Sequence, residues 1–346
     1  MSEEKSKDEL GLLVGRMRSA VAPLRGTLNG LYEQFRGVRD GKVADYIPEL
    51  AKVDPELFGI SIVTAQGQSF DIGDSDVNFS IQSASKPLVF GLALEDHGLE
   101  GVLSRVGVEP TGEAFNAIVL DEKSNRPFNP MVNAGAIATA DLVKGADYPE
   151  RVSRLLDMFG RYVGHEVFVD SKVFMSERVT GHRNRAIGHL MRNFDMVGDR
   201  FEDSLELYFQ QCSILVTCHD LAMIGATLAN DGVNPATGIR AIDSQYVKYL
   251  LSVMLSCGMY DYAGEWAFRV GIPAKSGVGG GIIAVVPGRM GIGVFSPRLD
   301  AKGNSLRGVK VCSELSRMFG LHAFETGGDH QSLNDQLQPQ RHRQSV

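Results

Sequence analysis

The chain has 346 residues, 43% apolar and 22% charged, a globular composition that excludes a mostly disordered protein. Its 35 Lys and Arg against 42 Asp and Glu leave a net charge of −7. An acidic chain lacks the clustered cations of a non-specific nucleic-acid binder, so no nucleic-acid partner is expected. No uncharged stretch reaches the roughly 18 to 20 apolar residues of a membrane span, and none is expected to cross a membrane. The N-terminus, from Met1 to Glu9, is charged throughout and has no apolar core of the secretory kind. With Cys212, Cys218, Cys257 and Cys312 showing neither CxxC nor zinc spacing, a reduced, cytoplasmic protein without metal is expected.

Residues 1–8 read as a charged tail. Residues 326–346, polar and Gln-rich, read as a disordered one. Between them one domain is expected over 9–325, with an α/β part over about 9–96 and 258–325 and a helical part over about 97–257. Leu12, Leu13 and Met17, then Leu28, Leu31 and Phe35, recur at helical spacing within 9–42. FGISIVT and QSFDIG, around Ala65-Gln66-Gly67, predict a hairpin over 58–72. A helix is predicted from Ser83 to His97, stopped by Gly98. VSRLLDMFGRYV, SLELYFQQCSILV and DLAMIGATLAND carry the helical pattern through the middle of the chain. EWAFRVGI, GGIIAVVP and RMGIGVFSP then predict three strands, and 306–319 a final helix. Short connections favour a meander of the late strands paired with the early hairpin. The predicted fold is therefore α+β: an antiparallel sheet flanked by the N- and C-terminal helices, with an all-helical subdomain beside it and a site at the seam.

Ser83-Ala84-Ser85-Lys86 has the S-x-x-K spacing, which puts a hydroxyl and an amine on one helical face. A helix start favours developing negative charge. A partly desolvated Lys can lose its proton and then take that of Ser. Alone the spacing means little, because Ser2-Glu3-Glu4-Lys5 matches it too. Lys275-Ser276-Gly277 is the second feature: in S-x-x-K acyl-transfer enzymes a K-[ST]-G strand walls the site and lends a backbone N–H to an oxyanion hole. The two motifs occur in the right order. GGGIIA matches a dinucleotide fingerprint but runs into a strand rather than a helix, and is set aside. His97, His182, His189 and His219 are scattered, and His165-Glu166 is not followed by the second His of a zincin.

Longer stretches carry a closer likeness: YIPEL (46–50), FSIQSASKPL (79–88), NPMVNAGAI (129–137), SERVTGHRN (176–184), YFQQCSI (208–214) and SCGMYDYAGEWAFRVGIPAKSGVGGGI (256–282). With these the chain resembles the serine-dependent glutaminases, which share the serine β-lactamase/DD-peptidase-like fold. The resemblance implies hydrolysis of L-glutamine to L-glutamate and ammonia through a γ-glutamyl acyl-enzyme, without cofactor, in a homo-oligomer (dimer or tetramer). It implies Ser83 as nucleophile, Lys86 as its proton partner, and Tyr46 and Tyr260 beside them. It further implies that Asn133, Glu177, Asn184 and Tyr208 hold the amino-acid end of the substrate and that Val278 offers its backbone N–H to the oxyanion. One carboxylate among amides and phenols is a reasonable receptor for a zwitterion. Two other readings share Ser83 and Lys86. One is a β-lactamase or penicillin-binding-type acyl hydrolase, which the absence of an S-D-N triplet disfavours. The other is a non-catalytic glutamine-binding protein on the same fold.

Overall fold

The computed structural model describes residues 24–325. Both predicted tails, and the helix predicted around Leu12, Leu13 and Met17, lie outside them. Within the described residues the first helix, α1, spans 24–35. The hairpin follows as β1 (Gly59–Thr64) and β2 (Ser69–Gly73). A short β3 (Phe79–Ser80) and a 3-10 turn (Gln82–Ser85) lead into α2 (Lys86–Leu103). Gly98 breaks the helical backbone with φ 69°, as its position predicts, but helix resumes beyond it to Leu103 instead of stopping.

The middle of the chain is helical: α3 (Asn133–Asp141), α4 (Tyr148–Val163), α5 (Ser171–Thr180), α6 (His182–Asn193), α7 (Phe201–Cys212), α8 (Cys218–Ala229) and α9 (Ser244–Cys257). Their caps are legible locally. Asp147, Asp170 and Asp243 accept from first-turn N–H groups, and Thr217 and Asp220 form a reciprocal capping box on α8. SLELYFQQCSILV does not stay helical to its end: Leu215–Val216 form β4, which pairs with β3.

EWAFRVGI is the clear misreading. Residues Ala263–Arg269 form a helix, α10, and the first late strand is instead β5 (Ala274–Ser276). Trp266 is fully buried with its indole N–H on Ile272 O at 2.7 Å, and Glu265 pairs with Arg269 one turn on. These are helical spacings hidden by aromatic and β-branched residue types. β6 (Gly281–Val286), β7 (Met290–Phe295) and α11 (Leu306–Phe319) complete the domain.

The five-stranded sheet has the order β2-β1-β7-β6-β5, all neighbours antiparallel, so the late meander joins the hairpin through β1 and β7 as expected. Side chains alternate between its faces. Ile60, Ile62, Ile282, Ile292 and Val294 pack under α1 and α11 with Leu28, Leu31, Val311 and Leu315. The opposite face is covered by α8, a mid-chain helix. Here the alternate positions of β7 are Gly291 and Gly293. A Cβ on Gly291 would lie 2.1 Å from Ala222 O, and one on Gly293 2.3 Å from Cys218 O. The missing side chains let helix and strand backbones touch, which is why both faces of β7 are buried. All four cysteines are free and buried. Among the described residues no helix is long and apolar enough to cross a membrane.

Candidate active site

β3, the turn after it and the end of β5 meet at the boundary between sheet and helices. Ile81 N–H donates to Ile214 O at 2.9 Å, which anchors the turn, and Ser85 Oγ closes it on Gln82 O at 2.7 Å. Gln82, immediately before Ser83, has φ 52°, a left-handed conformation that costs a non-glycine residue of order 1 kcal/mol or more. Lys275 and Ser276 end β5, and Gly277 follows it directly. A Cβ on Gly277 would sit 2.6 Å from Ile81 O and 3.2 Å from Ala84 N, so only a glycine lets the strand exit run against the turn that carries Ser83.

Ser83 is 5% exposed and lines a polar cavity of about 170 Å³ with Tyr46, Asn133, Glu177, Asn184 and Tyr208. Six predicted site residues thus share one pocket. Lys86 lies fully buried behind it. Its ammonium donates to Asn133 Oδ1 at 2.7 Å and to Met131 O at 3.1 Å. The hydroxyl that Ser83 meets is that of Tyr260, while Lys86 is drawn to the substrate side of the pocket. Tyr260 itself has φ 56°, a second strained residue at the site. Its O–H donates to Ser276 O at 3.0 Å, and the Val278 N–H donates to its oxygen. Ser83, Tyr260 and the backbone after KSG therefore form one contiguous cluster.

Burial dominates the electrostatics. It lowers Lys86 to about 8, against the pull of Cys212 and Glu177. It raises Glu177 to about 7, against a hydrogen bond from Gln82 and the charge of Lys86. Lys275 is held well below its ordinary value, first by burial and then by Lys86; it donates to Gly258 O and Ser276 O and stands 4.2 Å from the Tyr260 ring centroid. Burial also pushes the Tyr208 and Tyr260 phenols up. Tyr46 forms the rim: its residue surface is 53% exposed, yet its hydroxyl end is enclosed, and burial, then Tyr260 and Glu177, raise it. Asn133 Nδ2 donates to Asn184 Oδ1 at 3.0 Å, tying α3 to α6 across the pocket floor.

The sequence reading passed over Gln82, Phe115, Asn116 and Arg183, which also line the pocket. Gln82 and Arg183 lay inside quoted stretches. Phe115 and Asn116 stand between α2 and α3, where 104–132 carries neither helix nor strand beyond isolated turns and so no periodic signal. No cluster of metal-ligating side chains occurs among the described residues.

A profile of the glutaminase family matches residues 41–324. The glutaminase of Trichormus variabilis is 62% identical over 311 residues, covering 90% of this chain and 93% of that protein. That of a Nostoc species is 63% identical with the same coverage. Among solved structures, Mglu in its tris and glutamate form is 44% identical with a TM-score of 0.85, over 89% of this chain and 69% of that one. A probable glutaminase of Bacillus subtilis is 35% identical with a TM-score of 0.82, over 88% and 99%. The matched stretch runs through the sheet and the helical part, and with it the chain belongs to the glutaminase family, amidohydrolases of the β-lactamase-like fold that convert glutamine to glutamate and ammonia.

Proposed function

We propose that this chain hydrolyses the side-chain amide of L-glutamine through a γ-glutamyl ester on Ser83. The observation that carries the reading is Ser83 on a small polar cavity, with the Tyr260 hydroxyl bonded to it and, buried behind the cavity, a Lys86 that loses its proton at about pH 8. Glu177, ionised, pairs with the substrate ammonium, while Asn133, Asn184 and Tyr208 donate to its carboxylate. The γ-amide then lies toward Ser83; that a solved relative is in a glutamate form supports glutamate as the product bound.

Ser83 Oγ attacks the amide carbon as its proton passes to neutral Lys86, directly or through Tyr260. The oxyanion is received by the backbone N–H of Ser83 and by that of Val278, which exchanges the Tyr260 oxygen it holds in the free protein for the oxyanion. The C–N bond breaks, the transferred proton leaves with ammonia, and water cleaves the ester by the same route reversed. Tyr46, at the rim, closes the cavity over the nucleophile. Lys275 stands 4.2 Å from the Tyr260 ring centroid and donates to Ser276 O, the carbonyl that also accepts from the Tyr260 O–H, so it holds the phenol in place beside Ser83.

We further infer a cytoplasmic homo-oligomer. Four free buried thiols favour a reducing compartment. Phe168, Met175 and Val179, exposed on and beside α5, favour association. The test of the catalytic reading is ammonia release from glutamine by the wild type and by Ser83→Ala. Loss of at least about a thousandfold is expected, and equal rates would remove Ser83 from the mechanism.

A further inference from the structure

Phe115 stands between two cavities. On one side is the polar pocket that holds Ser83 and Glu177. On the other is a cavity of about 270 Å³, lined by Met131, Val132, Cys257, Tyr260, Ala263 and Ala267 among others. Phe115 is the one residue common to both linings. Its ring lies against Tyr260 with centroids 4.6 Å apart at 39°, and the Lys86 ammonium is 6.0 Å from its centroid. Its carbonyl accepts from Asn133 N–H at 2.8 Å, which ties its backbone to the start of α3 although no helix or strand carries it.

We propose that Phe115 is a specificity-determining residue: it restricts the leaving group to unsubstituted ammonia by walling the γ-amide nitrogen off from the largely apolar cavity behind. The inference rests on the function proposed above. With the amino-acid end held by Glu177 and Asn184 and the amide carbon at Ser83, the departing nitrogen faces Lys86 and Tyr260, the two groups that Phe115 covers. A carbon substituent on that nitrogen meets the Phe115 ring. Without the ring, the substituent enters the space lined by Met131, Val132 and Ala267. The reaction is otherwise unchanged. The Ser83 Oγ–C bond forms, the C–N bond breaks, the amine leaves as RNH2 with the serine proton, and water returns glutamate and the free hydroxyl. Differences of one methylene in an apolar pocket are worth about 10- to 200-fold in kcat/KM, which sets the scale.

The test compares kcat/KM for L-glutamine, γ-glutamyl ethylamide and γ-glutamyl anilide in the wild type, Phe115→Ala and Phe115→Ala/Ala267→Phe. The ratio of ethylamide to glutamine is expected to rise roughly tenfold or more in Phe115→Ala, even as glutamine turnover falls, and to return toward the wild-type ratio when Ala267→Phe refills the space. Phe115→Leu gives the same direction at smaller size and serves if the alanine variant does not fold. An unchanged ratio in every truncated variant, or wild type accepting the ethylamide as well as glutamine, overturns the inference while leaving the glutaminase reading intact. Full glutamine turnover by Ser83→Ala instead overturns the underlying reading, and the inference with it.

Discussion

The Lys86 ammonium is bonded to Asn133 Oδ1 at 2.7 Å, and Asn133 Nδ2 to Asn184 Oδ1 at 3.0 Å, so the group proposed to move protons is wired to the floor of the substrate pocket. Asn133→Asp tests this link. A carboxylate at that position favours the charged form of Lys86 and raises it above about 8. The acid limb of the kcat/KM profile is expected to move up by about one pH unit or more, with roughly tenfold lower activity at pH 7. A limb that stays in place means Lys86 does not titrate in the step measured.

The wild-type profile itself follows from two buried groups. Protonated Lys86 cannot accept the serine proton, and protonated Glu177 cannot pair with the substrate ammonium. Activity is therefore lost as pH falls through about 8 for Lys86 and about 7 for Glu177. kcat/KM is expected to climb steadily from pH 6 to 9. Glu177→Gln removes the contribution near 7 and raises KM more than it lowers kcat. A flat profile over this range in the wild type contradicts both assignments.

Burial of Lys86 also has a stability signature. Its folded value of about 8 lies below the ordinary 10.5, so between these the unfolded chain binds the extra proton and stability rises with pH. The penalty is complete below about pH 8 and gone above the unfolded value. Relative to Lys86→Met, the wild type is expected to gain roughly 3 kcal/mol between pH 8 and 10.5, read from urea unfolding at each pH. Parallel curves for the two proteins would show that the amine is not desolvated in the fold.

Two glycines separate architecture from chemistry. Gly293→Ala drives a Cβ to 2.3 Å from Cys218 O, between β7 and α8, and is expected to cost about 1–3 kcal/mol of stability with KM little changed. Gly277→Ala pushes on Ile81 O at 2.6 Å, at the turn that carries Ser83. It is expected to lower kcat by about a hundredfold or more, since a shift of about 1 Å suffices for that. Calorimetry and steady-state kinetics on both proteins check the contrast. Equal kinetic losses in the two would mean that the KSG exit has no special purchase on the nucleophile.

Much of this architecture was legible because local patterns agreed with the fold. The hairpin, α11 and the GGIIAVVP and RMGIGVFSP strands emerge where they are predicted, and Ser83, Asn133, Glu177, Asn184 and Tyr208 meet in one pocket. EWAFRVGI was misread because Trp, Phe and Val favour strands by type while Glu265, Trp266 and Arg269 are placed for a helix. Gly98 was read as a stop because the sequence gives no sign that helix resumes after one left-handed residue. The partner of Lys86 was missed for a different reason. Spacing places it beside Ser83, but only tertiary structure brings in the Asn133 amide from 47 residues away. Phe115 sits in a segment without regular structure, and no period could mark it.

The most direct test is to quench the enzyme during turnover of L-glutamine and map the adduct by peptide mass spectrometry. A γ-glutamyl ester on the peptide containing Ser83, absent from Ser83→Ala, is the predicted result. Steady ammonia release with no adduct at Ser83, or an adduct on another side chain, contradicts the mechanism.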